Sequence, residues 1–112
     1  AHAEGLGVIV KEGLANGRLT DRNREIDFAE KREHLESAAR SMGASIDQLA
    51  LAAALGQPWV SVLLSGAATE EHLVSNSNAT RIAWTEGLGE QLRGLQEEPN
   101  AYWARRKALN WN

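Results

Sequence analysis

Cysteine is absent from this 112-residue chain, and with it go disulfides, thiolate nucleophiles and every metal site built on sulfur. Long apolar runs are missing too. The longest, Leu49 to Leu55, falls far short of the roughly 20 residues a bilayer-spanning helix needs. The first residues show neither the basic nor the apolar region of a signal peptide, so the expected setting is reducing and cytoplasmic. There is no excess of positive charge: 12 Lys and Arg stand against 15 Asp and Glu, for a formal charge of −3. A nucleic-acid or anionic-membrane surface needs a concentrated positive field, and neither partner is expected. No H-E-x-x-H or comparable metal-ligand spacing occurs, and no internal repeat or low-complexity tract interrupts the chain. What is present, 43% hydrophobic and 24% charged residues, is the composition of one ordinary domain, or a piece of a larger one, without an internal boundary.

The most informative stretch is VSVLLSGAATEEHLVSN, residues 60–76. Val60, Val62, Leu63 and Leu64 suit a strand buried on both faces, as in a parallel sheet covered by helices. Ser65, Gly66, Ala67 and Ala68 allow a tight turn with space above it. Thr69 then opens a helix whose first N–H groups lack intrahelical partners and whose dipole favours an anion such as phosphate. A second β-branched run, Leu6 to Lys11, is the other credible strand.

Between the strands, residues 27–42 place Phe28, Leu35, Ala38, Ala39 and Met42 at helical spacing, and Gly43 stops that helix. Ser45 and Gln48 form the S-x-x-Q pattern of a capping box, starting an apolar helix that runs to about Gly56 before Pro58. After the second strand, Thr69 begins a helix running to about Arg81. Thr85 caps another with Leu88, Leu92 and Leu95 on one face, and Pro99 starts a last helix through Lys107. Residues 15–26 form a long polar loop. The resulting order, strand, loop, two helices, strand, three helices, makes the strands parallel neighbours. Burial on both faces requires more strands than two, because a two-stranded sheet is marginal in water. The strands are therefore expected to belong to a larger sheet, completed by a longer polypeptide or by another chain.

Three segments in order, IVKEGLANGRLT, SIDQLALAAALGQPWVSVLLSGAATEEHLVSN and NAYWARRKALNWN, resemble the C-terminal third of bacterial aldo-keto reductases. The resemblance covers nearly the whole chain. It implies an α/β fold: part of a (β/α)8 barrel, contributing the seventh and eighth strands, their helices and the C-terminal tail, mostly helical when taken alone. It also implies an NADP cofactor, with NAD possible, and a small carbonyl substrate for the full protein. In such barrels the active site lies at the C-terminal ends of the strands. The implied cofactor contacts are Lys11, Glu12, Leu14 and Asn16 after the first strand, and Ser65, Gly66, Ala67, Ala68, His72 and Asn76 after the second.

The family pattern in the second loop begins with lysine and serine, continues with an arginine five residues later, and ends with an acid and an asparagine. Here Gly66, Ala67, His72, Ser75 and Asn76 occupy those places. Only Asn76 matches, suited to an adenine edge. His72 stands where a guanidinium would grip a 2′-phosphate, and histidine lacks that permanent bidentate charge. Lys11 stands where an aromatic commonly stacks on the nicotinamide; phosphate contact, carboxylate contact and simple pairing with Glu12 all remain open for it.

The family's catalytic aspartate, tyrosine, lysine and histidine lie on earlier strands, and none of those motifs is present, so no catalytic residue is expected here. Tyr102, the single tyrosine, reads as a packing residue beside Trp103. Trp59, Trp84, Trp103 and Trp111 lie close to element ends, where they are expected chiefly to seal the helix layer, a substrate wall being the other reading. The alternative to a cofactor-binding portion of a reductase is a noncatalytic, oligomeric interaction or nucleotide-sensing module derived from the same fold.

Overall fold

A computed structural model describes residues 1–15, 17–20 and 22–108. Asn16, among the implied cofactor contacts, and Trp111 lie outside the described residues. Each β-branched run contributes only two residues of strand: β1 (Ile9–Val10) and β2 (Val62–Leu63) pair in parallel, with Ile9 opposite Val62 and Val10 opposite Leu63. Val8 anchors the start of the pair, its N–H donating to Ser61 Oγ at 3.0 Å and its carbonyl accepting from the N–H groups of Ser61 and Val62.

Among the described residues five helices accompany this ribbon, α1 (Ala29–Ser41), α2 (Ile46–Leu55), α3 (Glu70–Asn78), α4 (Glu86–Leu92) and α5 (Pro99–Ala108), and α2 packs against β2. Short 3-10 turns precede α1 (Ile26–Phe28), follow α3 (Ala79–Arg81) and follow α4 (Arg93–Leu95). The chain is thus mostly helical with a small parallel sheet. Its helix starts are chemically explicit. The Ser45 N–H donates to Gln48 Oε1 at 3.2 Å in the capping box of α2; Thr69 Oγ1 accepts from the His72 N–H at 3.1 Å, and Thr85 Oγ1 from the Leu88 N–H at 3.2 Å. The stop after α1 is equally clear, because Gly43 adopts φ 65°, a left-handed conformation that glycine enters without a Cβ penalty.

The core lies in the helix layer. Phe28, Leu35, Ala38, Ala39, Ile46, Leu49 and Leu88 form one buried cluster, with Leu19, Trp84, Leu92 and Leu95 packed against it. Met42 departs from the expected apolar stripe: it caps α1 and is exposed, since the chain leaves the helix there.

Burial of the sheet on both faces does not occur. Side chains alternate across a strand, and here one side meets helix α2 while the other meets solvent. On the covered side, Leu63 and Leu51 close over Gly13, where an added Cβ would stand 3.0 Å from Leu51 and 3.1 Å from Leu63. On the bare side Ile9 is 64% exposed, Val62 46% and Leu64 52%. The sealing role expected of the tryptophans holds for Trp84 alone among the described three. Trp59 and Trp103 are each nearly half exposed and lie outside the core cluster.

Trp84 lies directly over Gly56, at the end of α2, where a Cβ would come within 2.4 Å of the indole Cδ1 and 2.7 Å of Trp84 Cβ. Gly56→Ala would therefore push the ring off the core, a cost of about 1–3 kcal/mol, partly offset by the roughly 0.4–1 kcal/mol gained from a less flexible unfolded chain. A net loss of about 1 kcal/mol is expected, readable as a lowered urea midpoint accompanied by a shift in tryptophan emission.

Candidate site at the C-terminal edge of the parallel strands

Parallel pairing brings the loop after β1 and the loop after β2 to the same edge of the sheet. Lys11, Glu12 and Leu14 thus share an edge with the turn from Ser65 to Ala68 and the start of α3. Leu64 completes the register, its N–H donating to the Val10 carbonyl at 2.9 Å.

Along the second loop the predicted residues contact one another. Asn76 Nδ2 donates to Ser65 Oγ at 2.7 Å, tying α3 to the strand end, and the Ala67 N–H reaches the same hydroxyl at 3.3 Å. Ser65, Gly66 and Ala68 are exposed, and nothing lies within 4 Å of a Cβ built on Gly66. His72 is half-buried in the first turn of α3. The turn is open, and Lys11 stands exposed at the same edge of the sheet, a positive charge that favours an anion. One feature opposes: Glu70 and Glu71 place negative charge in the first turn of α3, so the chain itself satisfies part of the anion preference of that helix end.

The first loop is held differently from the sequence expectation. Glu12 adopts φ 58° and Ala15 φ 49°, conformations that residues with a Cβ rarely adopt. Glu12 pairs with Arg106 rather than with Lys11. Arg106 Nη2 donates to Oε1 at 3.2 Å, Nε reaches both carboxylate oxygens at 3.3 and 3.2 Å, and the Tyr102 hydroxyl donates to Oε2 at 3.1 Å. The Arg106 hydrogen bonds hold the Glu12 carboxyl below its usual range against the opposing effect of burial, and the Tyr102 bond adds to them. Burial, followed by the neighbouring Glu12 carboxylate, pushes the Tyr102 phenol up. Tyr102 also meets Trp103 edge to face, ring centroids 5.2 Å apart, so its packing role is joined by a polar one.

A second latch acts further along the same loop. Arg18 grips Glu97 with two hydrogen bonds of 3.0 and 2.7 Å, while Lys31 and Arg105 approach the same carboxylate at 3.7 and 3.6 Å. The hydrogen bonds from Arg18 lower the Glu97 pKa more than burial raises it. Nothing in the sequence marks either latch, since each joins residues about 80 or more positions apart. The Arg-Arg-Lys run of α5 signals only favourable charge at a helix C-terminus.

Asp47, in the first turn of α2, joins that helix to α3. It accepts hydrogen bonds from Ser45 Oγ and, at 2.7 Å, from Ser75 Oγ, which also receives the Gln48 amide at 3.3 Å. Burial alone would raise the Asp47 pKa, but these hydroxyls and the backbone N–H groups of Asp47 and Gln48 outweigh it and hold the group ionised. The start of α2 is thereby fastened to α3 beside Asn76. Among the described residues no group of His, Asp and Glu is arranged to hold a metal ion, and no helix is long and apolar enough to cross a membrane. No protein-family model matches the sequence, and no curated protein matches it.

Proposed function

We propose that this chain is the cofactor-binding C-terminal portion of an NAD(P)H-dependent aldo-keto reductase that reduces aldehydes or ketones, the seventh and eighth strands of a (β/α)8 barrel. The observation that carries the reading is the pairing of β1 with β2: it is parallel, it sets both predicted loops at one edge, and it leaves Ile9, Val62 and Leu64 bare on the face that a barrel interior would cover. Lys11 would meet phosphate or substrate carboxylate, the Ser65–Ala68 backbone would approach the phosphates, and Asn76 would face the adenine end. The nicotinamide supplies the hydride. The proton donor belongs to earlier strands, so the 112-residue chain alone should not consume NADPH in the presence of an aldehyde.

The reading is tested by the coding sequence upstream of Ala1. A barrel portion carrying aspartate, tyrosine, lysine and histidine motifs supports it, and a start codon directly before Ala1 would refute it. Within the complete gene product, His72→Arg is expected to tighten NADPH by about tenfold, some 1.4 kcal/mol, and to leave NADH unchanged. Equal changes for both dinucleotides would mean that residue 72 does not meet the 2′-phosphate.

The same bare face supports a second reading, in which copies of this chain associate through it as a noncatalytic module. That reading requires a stable, folded oligomer of the 112-residue polypeptide in equilibrium sedimentation.

A further inference from the structure

We propose that α5 is a latch on the loop after β1, with Tyr102 and Arg106 as positioning residues. They hold Glu12, and through it they set the loop that would meet the dinucleotide. This role rests on the reductase reading and adds to it a coupling between the C-terminal helix and the cofactor.

The loop is bent at two places that its residue types resist. Glu12 and Ala15 each carry a Cβ, yet they take φ 58° and 49°, in the left-handed region. Such conformations persist only where the surroundings over-determine them, and they cluster at ligand clamps. Contacts on two sides do so here. Leu51 of α2 and Leu63 of β2 close on Gly13, while Arg106 and the Tyr102 hydroxyl hold the carboxylate of Glu12 beside it. The bend continues inward: the Ala15 N–H donates to the Glu12 carbonyl at 2.8 Å, and the Leu19 N–H to the Leu14 carbonyl at 3.1 Å. Lys11, exposed at the sheet edge, immediately precedes the held residue.

In turn, α5 depends on this loop for its seat. Arg106 is the one buried residue of the helix, and α5 adds nothing to the apolar core cluster. Its attachment is polar and reciprocal: the loop supplies Glu12 to Arg106, and it supplies Arg18 to Glu97 just ahead of the helix. A helix held to one loop by charge-assisted hydrogen bonds, rather than by apolar burial, is ordered together with that loop. Linkage then runs both ways, so a seated α5 favours the dinucleotide by the same factor by which the dinucleotide favours a seated α5.

The test uses the complete gene product, with NADPH binding followed by the fluorescence of the dinucleotide and by amide hydrogen exchange. Tyr102→Phe keeps the ring and removes only the hydroxyl, and it is expected to weaken NADPH about three- to tenfold. Arg106→Met should weaken it further. In the unmodified protein NADPH should slow exchange in the loop after β1 and in α5 together. Gly56→Ala, which loses stability elsewhere in the fold, is the control for a merely structural role and should keep both the affinity and the joint protection. Unchanged NADPH affinity in Tyr102→Phe overturns the latch alone, as does protection that stops at the loop and leaves α5 unaltered. An equal loss of affinity in Gly56→Ala overturns it too, because general destabilisation would then account for the effect. Absence of NADPH binding by the unmodified protein overturns the reductase reading and the latch with it, so the two failures are distinguishable.

Discussion

Leu49→Ala should lower the unfolding free energy by about 2–5 kcal/mol, the range for emptying a fully buried leucine site. Leu49 is completely buried at the centre of the helix-layer core, between the contributions of α1, α2 and α4. For a domain of this size total stability is of order 5–15 kcal/mol, so the variant should stand close to its unfolding threshold at physiological temperature. Leu73→Ala is the contrast. Leu73 is mostly exposed on α3, and the change should stay within about 0.5 kcal/mol. Urea midpoints followed by circular dichroism measure both. Similar losses at the two positions would show that the core is not in the helix layer.

Arg106→Met is expected to cost about 2–3 kcal/mol and to change the response to acid. Methionine retains much of the apolar stem but leaves Glu12 without its guanidinium partner, and hydrogen bonds to a charged group contribute more than neutral ones. The acid response follows from the direction of the Glu12 shift. Its carboxyl is lowered in the folded chain, so its interactions stabilise fully above the ordinary carboxylate range and are lost as pH falls through the lowered folded value. The unmodified chain should therefore lose stability steeply on acidification, and Arg106→Met less so. The part due to Glu97, lowered by Arg18, persists in both. Stability measured against pH decides this. Parallel acid limbs in the two proteins would mean that the Glu12 latch contributes nothing to folding.

Local chemistry made most of the elements legible. Thr69, Thr85 and the Ser45–Gln48 pair announce helix starts because side-chain oxygens satisfy orphan N–H groups within three residues, and Gly43 announces a stop for the same local reason. The parallel strand order followed from the helices that intervene between two apolar runs. Features depending on distant partners were not legible. A run such as Val60 to Leu64 carries the composition of a doubly buried strand, yet composition states only what the run is suited to, and among the described residues no layer covers Ile9, Val62 and Leu64.

The candidate site divides along the same line. The Asn76–Ser65 contact joins two residues that motif matching had already placed together. Glu12, in contrast, was expected beside a ligand or beside Lys11. It is engaged instead by Tyr102 and Arg106, which approach from the other end of the sequence. Side chains such as these meet because of topology, which no periodicity in the linear chain encodes.

The most direct test of the central claim is a structure of the complete gene product determined with NADPH. The account predicts further parallel strands on both sides of β1 and β2, Ile9, Val62 and Leu64 turned into a closed barrel, and the dinucleotide lying across Lys11, Ser65 and Asn76. A self-sufficient protein in which that face remains in water, or a dinucleotide bound elsewhere, would contradict it.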